Sequence, residues 1–232
     1  FQTTGLAVEL PVGLPQGKAD NQILGVVQSL REQQPGRDIW PRRPSLFIRQ
    51  TPATVEADVE TIPAGRELVQ GQFGLPPAWA KSASDAKLRS SKLLNARPDS
   101  VVGSKHFDKA WKESRRCIVP MMAFFVDDWR TGQPVPTRIA RVDGRPMGVA
   151  GLWERWGSEE GESVTGFCLL TVGSYGHGLL HRYDPPGAEK RMPVILNEGA
   201  YDAWLNAPLS KAAEFMRSYP ANWMTANPVE KG

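Results

Sequence analysis

Proline and glycine interrupt this chain along nearly its whole length: 20 of one and 22 of the other in 232 residues. They are dispersed, not clustered, so they end elements before these grow long. That pattern suits a β-rich domain of short strands and many turns. Between the breaks lie short apolar runs. "PSLFIRQ" (44–50) and "RELVQGQFGL" (66–75) read as strands, and "RCIVP" (116–120) and "AFFVDDW" (123–129) as two more, with Pro120 disfavouring one continuous central strand. "PTRIARV" (136–142) runs into Asp143-Gly144, a hairpin signal, and then "PMGVAGLWERW" (146–156). "ESVTGFCLLTV" (162–172) and "RMPVILN" (191–197) follow as strands. Helical periodicity marks 19–33, with Ile23, Leu24, Val27 and Leu30 on one face, then 106–114 and two segments of the tail, before a last extended piece ending at Val229. The expectation is α+β: a single domain over residues 1–232, around a mainly antiparallel, curved or barrel-like sheet with peripheral helices.

Hydrophobic residues make up 41%, ample for a core. No run of about 18 apolar residues exists, so no membrane span is expected. The first residues lack a basic stretch followed by an apolar one, so no secretory signal is read there. Cys117 and Cys168 both sit in apolar, strand-like contexts, as reduced buried thiols of a cytoplasmic protein would. Three histidines and two cysteines show no metal-ligand spacing, so neither metal nor cofactor is expected.

Net charge is only +3 but unevenly placed: residues 81–116 carry ten Lys/Arg against four Asp/Glu, which leaves the remainder acidic. A basic block on a near-neutral chain points to an anionic partner on one face. Trp79 lies in the loop-like "GLPPAWAK" beside that block, where an indole can act as a base-stacking platform. "HGLLHRYDPPGAEKRMPVIL" (177–196) gathers two histidines, an aspartate and the triplet Glu189-Lys190-Arg191 at the mouth of an apolar strand. It is either a solvated loop or a wall of a reactive pocket. Ser174 and His177 do not form a nucleophile elbow, and no phosphate-binding glycine loop is present.

In order, "FGLPPAWAK", "NARPDSV", "FDKAWKESRRCIVP", "AFFVDDW", "VAGLWERW", "LLTV" and "EKRMPVIL" resemble the SRAP domain, the SOS response-associated peptidase family, from about Ile39 to Leu205. The resemblance implies a single-stranded-DNA-binding domain that recognises abasic sites, and the expected state is a monomer. It implies a Cys exposed at the N-terminus once Met is removed, whose amine and thiol condense with the lesion aldehyde to a thiazolidine crosslink. The same Cys would be the nucleophile of an autopeptidase. Asn95 and Arg97 match the family's "NAR", Asn95 orienting the amine and Arg97 holding a phosphate. Trp79 matches the stacking aromatic, Pro44 and Arg116 are further DNA-lining candidates, and Lys190 and Arg191 would pin phosphates. Three positions depart from the pattern. No Cys precedes Phe1 in this sequence. The family's Glu falls at Val126, with Asp128 as a substitute on the same strand face. Its His falls at Asp184, with His181 as the nearby alternative. Asn95, Asp128, His181 and Asp184 are therefore the candidate catalytic residues. The alternatives are a relative that only binds single-stranded DNA, or a thiol autopeptidase.

Overall fold

A computed structural model describes residues 6–7, 38–51, 65–157 and 161–229. The helix expected over 19–33 and the residues around Phe1 lie outside them.

β1 (Leu6–Ala7) and β2 (Asp38–Ile39) form a short antiparallel ladder. The principal sheet is built from β3 (Pro44–Gln50), β4 (Arg66–Phe73), β5 (Asn95–Ala96), β6 (Arg116–Met121), then, after β7 (Ala123–Asp128) and β8 (Val135–Arg141), β9 (Met147–Gly157) and β10 (Ser163–Gly173). Strand pairing runs β10-β4-β3-β6-β9, and β9 pairs back onto β10, closing five strands into a barrel. Only the β4–β10 seam of that ring is parallel. β11 (Arg191–Pro193) and β12 (Ile195–Leu196) follow, and β13 (Met224–Pro228) joins β7 and β8 in a separate three-stranded antiparallel sheet. The expected α+β architecture with a curved, closing sheet is what forms.

Alternation along the barrel strands sends their apolar side chains two ways. Phe47, Phe73, Val119, Val149, Phe167 and Leu169 pack inside, together with Phe124, Val126, Ile139 and Met224 of the small sheet. Ile118, Ala150, Leu152, Cys168 and Leu170 face out, under helices that bring Trp111, Trp204 and Ala212. Trp204 is fully buried, and its indole N–H donates to the Cys117 carbonyl at 2.9 Å, so the ring's one polar group is satisfied. Both cysteines are free and buried, as expected. Gly151 is required by close backbone approach between β9 and β10: a Cβ there would lie 2.5 Å from the Cys168 carbonyl oxygen.

Two expectations change. Asp143-Gly144 does turn, with Gly144 at φ +71, but its flanking strands do not pair. β8 pairs β7 and β13, whereas β9 enters the barrel. The turn is a corner between sheets, held by Asp143 accepting from the Arg141 guanidinium and the Arg145 N–H. The strand read over 191–197 is split. β11 pairs β10 and β12 pairs β9, with Val194 between them donating its N–H to Leu170 and accepting from Ala150. Pro120, by contrast, is accommodated inside β6: the pairing of β3 with β6 ends at Ile118, so Pro120 faces a strand on one side only. No helix among the described residues is long and apolar enough to cross a membrane.

Candidate functional site

The later half of β10 organises the site. Along β10, β4 gives way to β5 on one flank and β9 gives way to β11 on the other. Asn95 is the partner of Leu169, so it shares the face that continues the barrel interior, while Ala96, opposite Leu170, packs outward. Asn95 is half-buried, and its side-chain amide makes no hydrogen bond to any described residue. It is a polar group ready for an external partner. Arg97 follows on the same flank and Arg191 stands opposite Gly173 on the other.

These arginines are already engaged. Arg97 gives Nε and Nη2 to Asp99, at 3.1 and 2.8 Å, and Nη1 to Glu189 at 2.8 Å. The Asp99 hydrogen bonds raise the Arg97 pKa, and Arg97 holds the Asp99 carboxyl below its usual range. Arg191 gives Nε and Nη2 to the Thr171 hydroxyl and carbonyl, and Nη1 to Glu189 at 2.8 Å. Lys190 is turned inward: its ammonium donates to the Tyr183 and Asp184 carbonyls at 2.5 and 2.8 Å and reaches Pro185 at 3.5 Å. The basic pair read as pinning phosphates therefore first pins its own loop.

That loop docks on the small sheet. Tyr183 bridges Asp128 at the end of β7, and the Asp184 N–H donates to the Asp127 carbonyl at 3.0 Å. Asp184 sits at φ +72, a left-handed conformation that Asp tolerates better than most residues. Next comes a tight turn, Pro185-Pro186-Gly187-Ala188, closed by the Ala188 N–H on the Pro185 carbonyl, with Gly187 at φ +79. The two aspartates are pushed apart electrostatically. Arg130 chelates Asp128 with Nε and Nη2 and depresses its carboxyl pKa. Burial raises that of Asp184, with Lys190 opposing. The two carboxyls shift in opposite directions for separate reasons, and Asp184 is the one that burial inclines to hold a proton. Asp128 does share the buried face with Val126, but Arg130 occupies it.

Val126 is 5% exposed and part of the apolar core, so nothing at that position can move a proton. His181 is exposed, and its Nδ1–H donates to the His177 carbonyl at 2.7 Å within its own turn. His177 is structural: Nδ1 accepts from the Leu179 and Leu180 N–H groups, leaving Nε2–H to donate to the Tyr219 carbonyl. Arg116, expected as a DNA-lining residue, is 4% exposed, lies over the Trp204 ring and donates to the Ala207 carbonyl, and its Nε and Nη1 have no partner among the described residues. Alternation at the start of β6 points it into the helical layer. Pro44 opens β3 opposite Gln72.

Trp79 forms a second group. Its ring is 41% exposed, with the Arg89 guanidinium 4.7 Å and the Lys105 ammonium 5.6 Å from the centroid. His106 packs against it at 5.6 Å, and its imidazole pKa is lowered, chiefly by burial and then by Lys105. The loop is anchored below by Ala80, whose carbonyl accepts from the Trp156 indole N–H, and by Ser82, which caps the helix Ala83–Ser90. In the sequence Arg89 and Lys105 are two of ten cations in the basic block with nothing to single them out, and the signal for Glu189 is an acid lying next to Lys190 and Arg191.

A closed barrel with an outer helical layer, a capping sheet and a polar rim at one strand end defines the class of protein. The family profile described as SOS response associated peptidase (SRAP) matches residues 15–232, and the chain belongs to that family. Among curated relatives, abasic site processing protein YoqW of Bacillus subtilis is 30% identical over 165 residues, 68% of this chain and 67% of its own length. The yeast abasic site processing protein YMR114C is 28% identical over 85% of this chain and half of its own length. A crystal structure of a Bordetella bronchiseptica protein superposes with a TM-score of 0.70 at 33% identity, covering 88% of this chain and 95% of that one.

Proposed function

We propose that this protein processes abasic sites in DNA, engaging the lesion in single-stranded form. The observation that carries the reading is the exposed Trp79 indole flanked by Arg89 and Lys105: a flat apolar surface for an unpaired base, with cations for the adjoining backbone. Asn95, with an uncommitted amide beside the Arg97–Glu189–Arg191 rim, is the group that would orient an incoming sugar or amine. The names of the curated relatives support the abasic substrate.

In a precursor with an N-terminal Cys, the neutral amine would attack the ring-opened aldehyde and expel water to give an imine. The thiolate then adds to the imine carbon, closing a thiazolidine. Asp184, its carboxyl held up by burial, is the group suited to protonate the departing water. A second reading, binding without crosslinking, is favoured by Val126, which offers no proton where the family pattern has a carboxylate. The test is incubation of the precursor, with its N-terminus verified as Cys by mass spectrometry, with an abasic single-stranded oligonucleotide. A heat-stable adduct is expected, absent with intact duplex. Saturable binding without any adduct selects the second reading, and no binding to either DNA refutes both.

A further inference from the structure

Arg97 and Arg191 stand on opposite flanks of β10, and each has two nitrogens fixed within the protein. Asp99 orients one guanidinium and Thr171 the other. Each is left with a single Nη1, and the two Nη1 groups converge on one acceptor. That acceptor is the Glu189 carboxylate, which offers Oε2 to Arg97 and Oε1 to Arg191, both at 2.8 Å. Two rigidly aimed guanidinium groups sharing two oxygens of one anion form an oxyanion seat. A phosphodiester presents the same pair of oxygens. Glu189 is exposed and lies just beyond the Pro185–Ala188 turn, so it can leave the seat without disturbing a strand.

We propose that Glu189 is an internal occupant of a phosphate seat, and that a DNA phosphate binds there by displacing it. This rests on the single-stranded-DNA reading above and adds a residue that sets its affinity. While Glu189 is seated, Arg97 and Arg191 are balanced by Asp99 and Glu189, and these four side chains carry no net charge together. When Glu189 departs, one positive charge is unmasked beside Asn95. The rim thus discriminates against weak anions and opens to a polyanion that can compete for both arginines at once.

The experiment compares the full chain with Glu189→Gln, using fluorescence anisotropy of an abasic single-stranded oligonucleotide over a salt series. The variant is expected to bind about tenfold tighter at low salt, with a log–log salt slope steeper by about 0.7, as for one more phosphate neutralised. Adding Arg97→Ala to the variant should abolish the gain. Equal affinity and slope, with DNA binding intact, overturn the seat and leave the DNA reading standing. A second arm measures thermal midpoints with inorganic pyrophosphate, where Glu189→Gln should be stabilised more than the parent. That result without DNA binding by either protein sustains the seat and refutes the DNA reading; no response to DNA or pyrophosphate overturns both.

Discussion

The surroundings of Trp79 and the rim at the end of β10 are both basic in sequence, yet they present charge to solvent differently. At the rim, Lys190 is taken by backbone carbonyls and Arg191 by Thr171 and Glu189, while Arg97 is shared between two carboxylates. Near Trp79, Lys105 has no acidic partner among the described residues, and Arg89 faces the ring while Asp85 holds its Nε. Of the net +6 of residues 81–116, a part is internal: Arg115 reaches the buried Glu154, Arg97 reaches Glu189, and Arg116 is buried, whereas Lys87, Lys92 and Lys105 are exposed with no ion pair among the described residues. Charge counted along a sequence is not charge available to a ligand. Of what remains available, Arg89 and Lys105 flank an exposed aromatic ring, the place where the proposed reading seats an unpaired nucleotide.

Removing the inward lysine should have the largest effect on the rim. Lys190→Met is expected to cost about 2–3 kcal/mol in urea unfolding, because a part-buried ammonium satisfying several carbonyls is lost. Amide exchange should rise over residues 183–191. An unchanged midpoint would mean that the loop is held by other contacts.

Trp79→Ala should act on the other region. Its expected cost is about 2 kcal/mol in single-stranded binding, roughly thirtyfold in affinity, with little change in thermal midpoint since the ring is exposed. A fall in stability matching the fall in affinity would recast the indole as packing.

The pair Asp128 and Asp184 sharpens the comparison within the rim. A depressed carboxyl such as Asp128 contributes stability above the ordinary carboxylate pKa, and this is lost as pH falls through its folded value. A raised one such as Asp184 contributes below the ordinary value and loses that contribution as pH rises through its folded value. Asp184→Asn should therefore gain stability relative to the parent as pH increases across that window. Carboxyl NMR titration should show Asp184 protonating at higher pH than Asp128; the reverse order would remove Asp184 as proton holder.

The smallest effect is expected at Arg116. Replacing a buried guanidinium that has no acidic partner among the described residues with Met should be neutral to stabilising and should change DNA affinity by less than about twofold. A large loss of binding would restore Arg116 to the interface.

Much of the fold was legible because alternation and apolar runs are local properties: β3 is bounded as read, and β6, β9 and β10 to within a residue. Partner choice is not local. Asp143-Gly144 specifies a turn, but nothing in those residues says that β8 must leave β9 for β7 and β13. Likewise "RMPVIL" shows burial but not the change of neighbour at Val194. The site was legible as a set of residue types. Which cations were spent on carbonyls, on Thr171 or on Glu189 depended on strands distant in sequence meeting at the end of β10.

The most direct test of the central claim is the affinity of the full chain for an abasic single-stranded oligonucleotide, measured across a salt series against the same sequence as intact duplex. The abasic single strand should bind more tightly, with affinity falling steeply as salt rises. Equal affinity for both DNAs, or binding indifferent to salt, would contradict it.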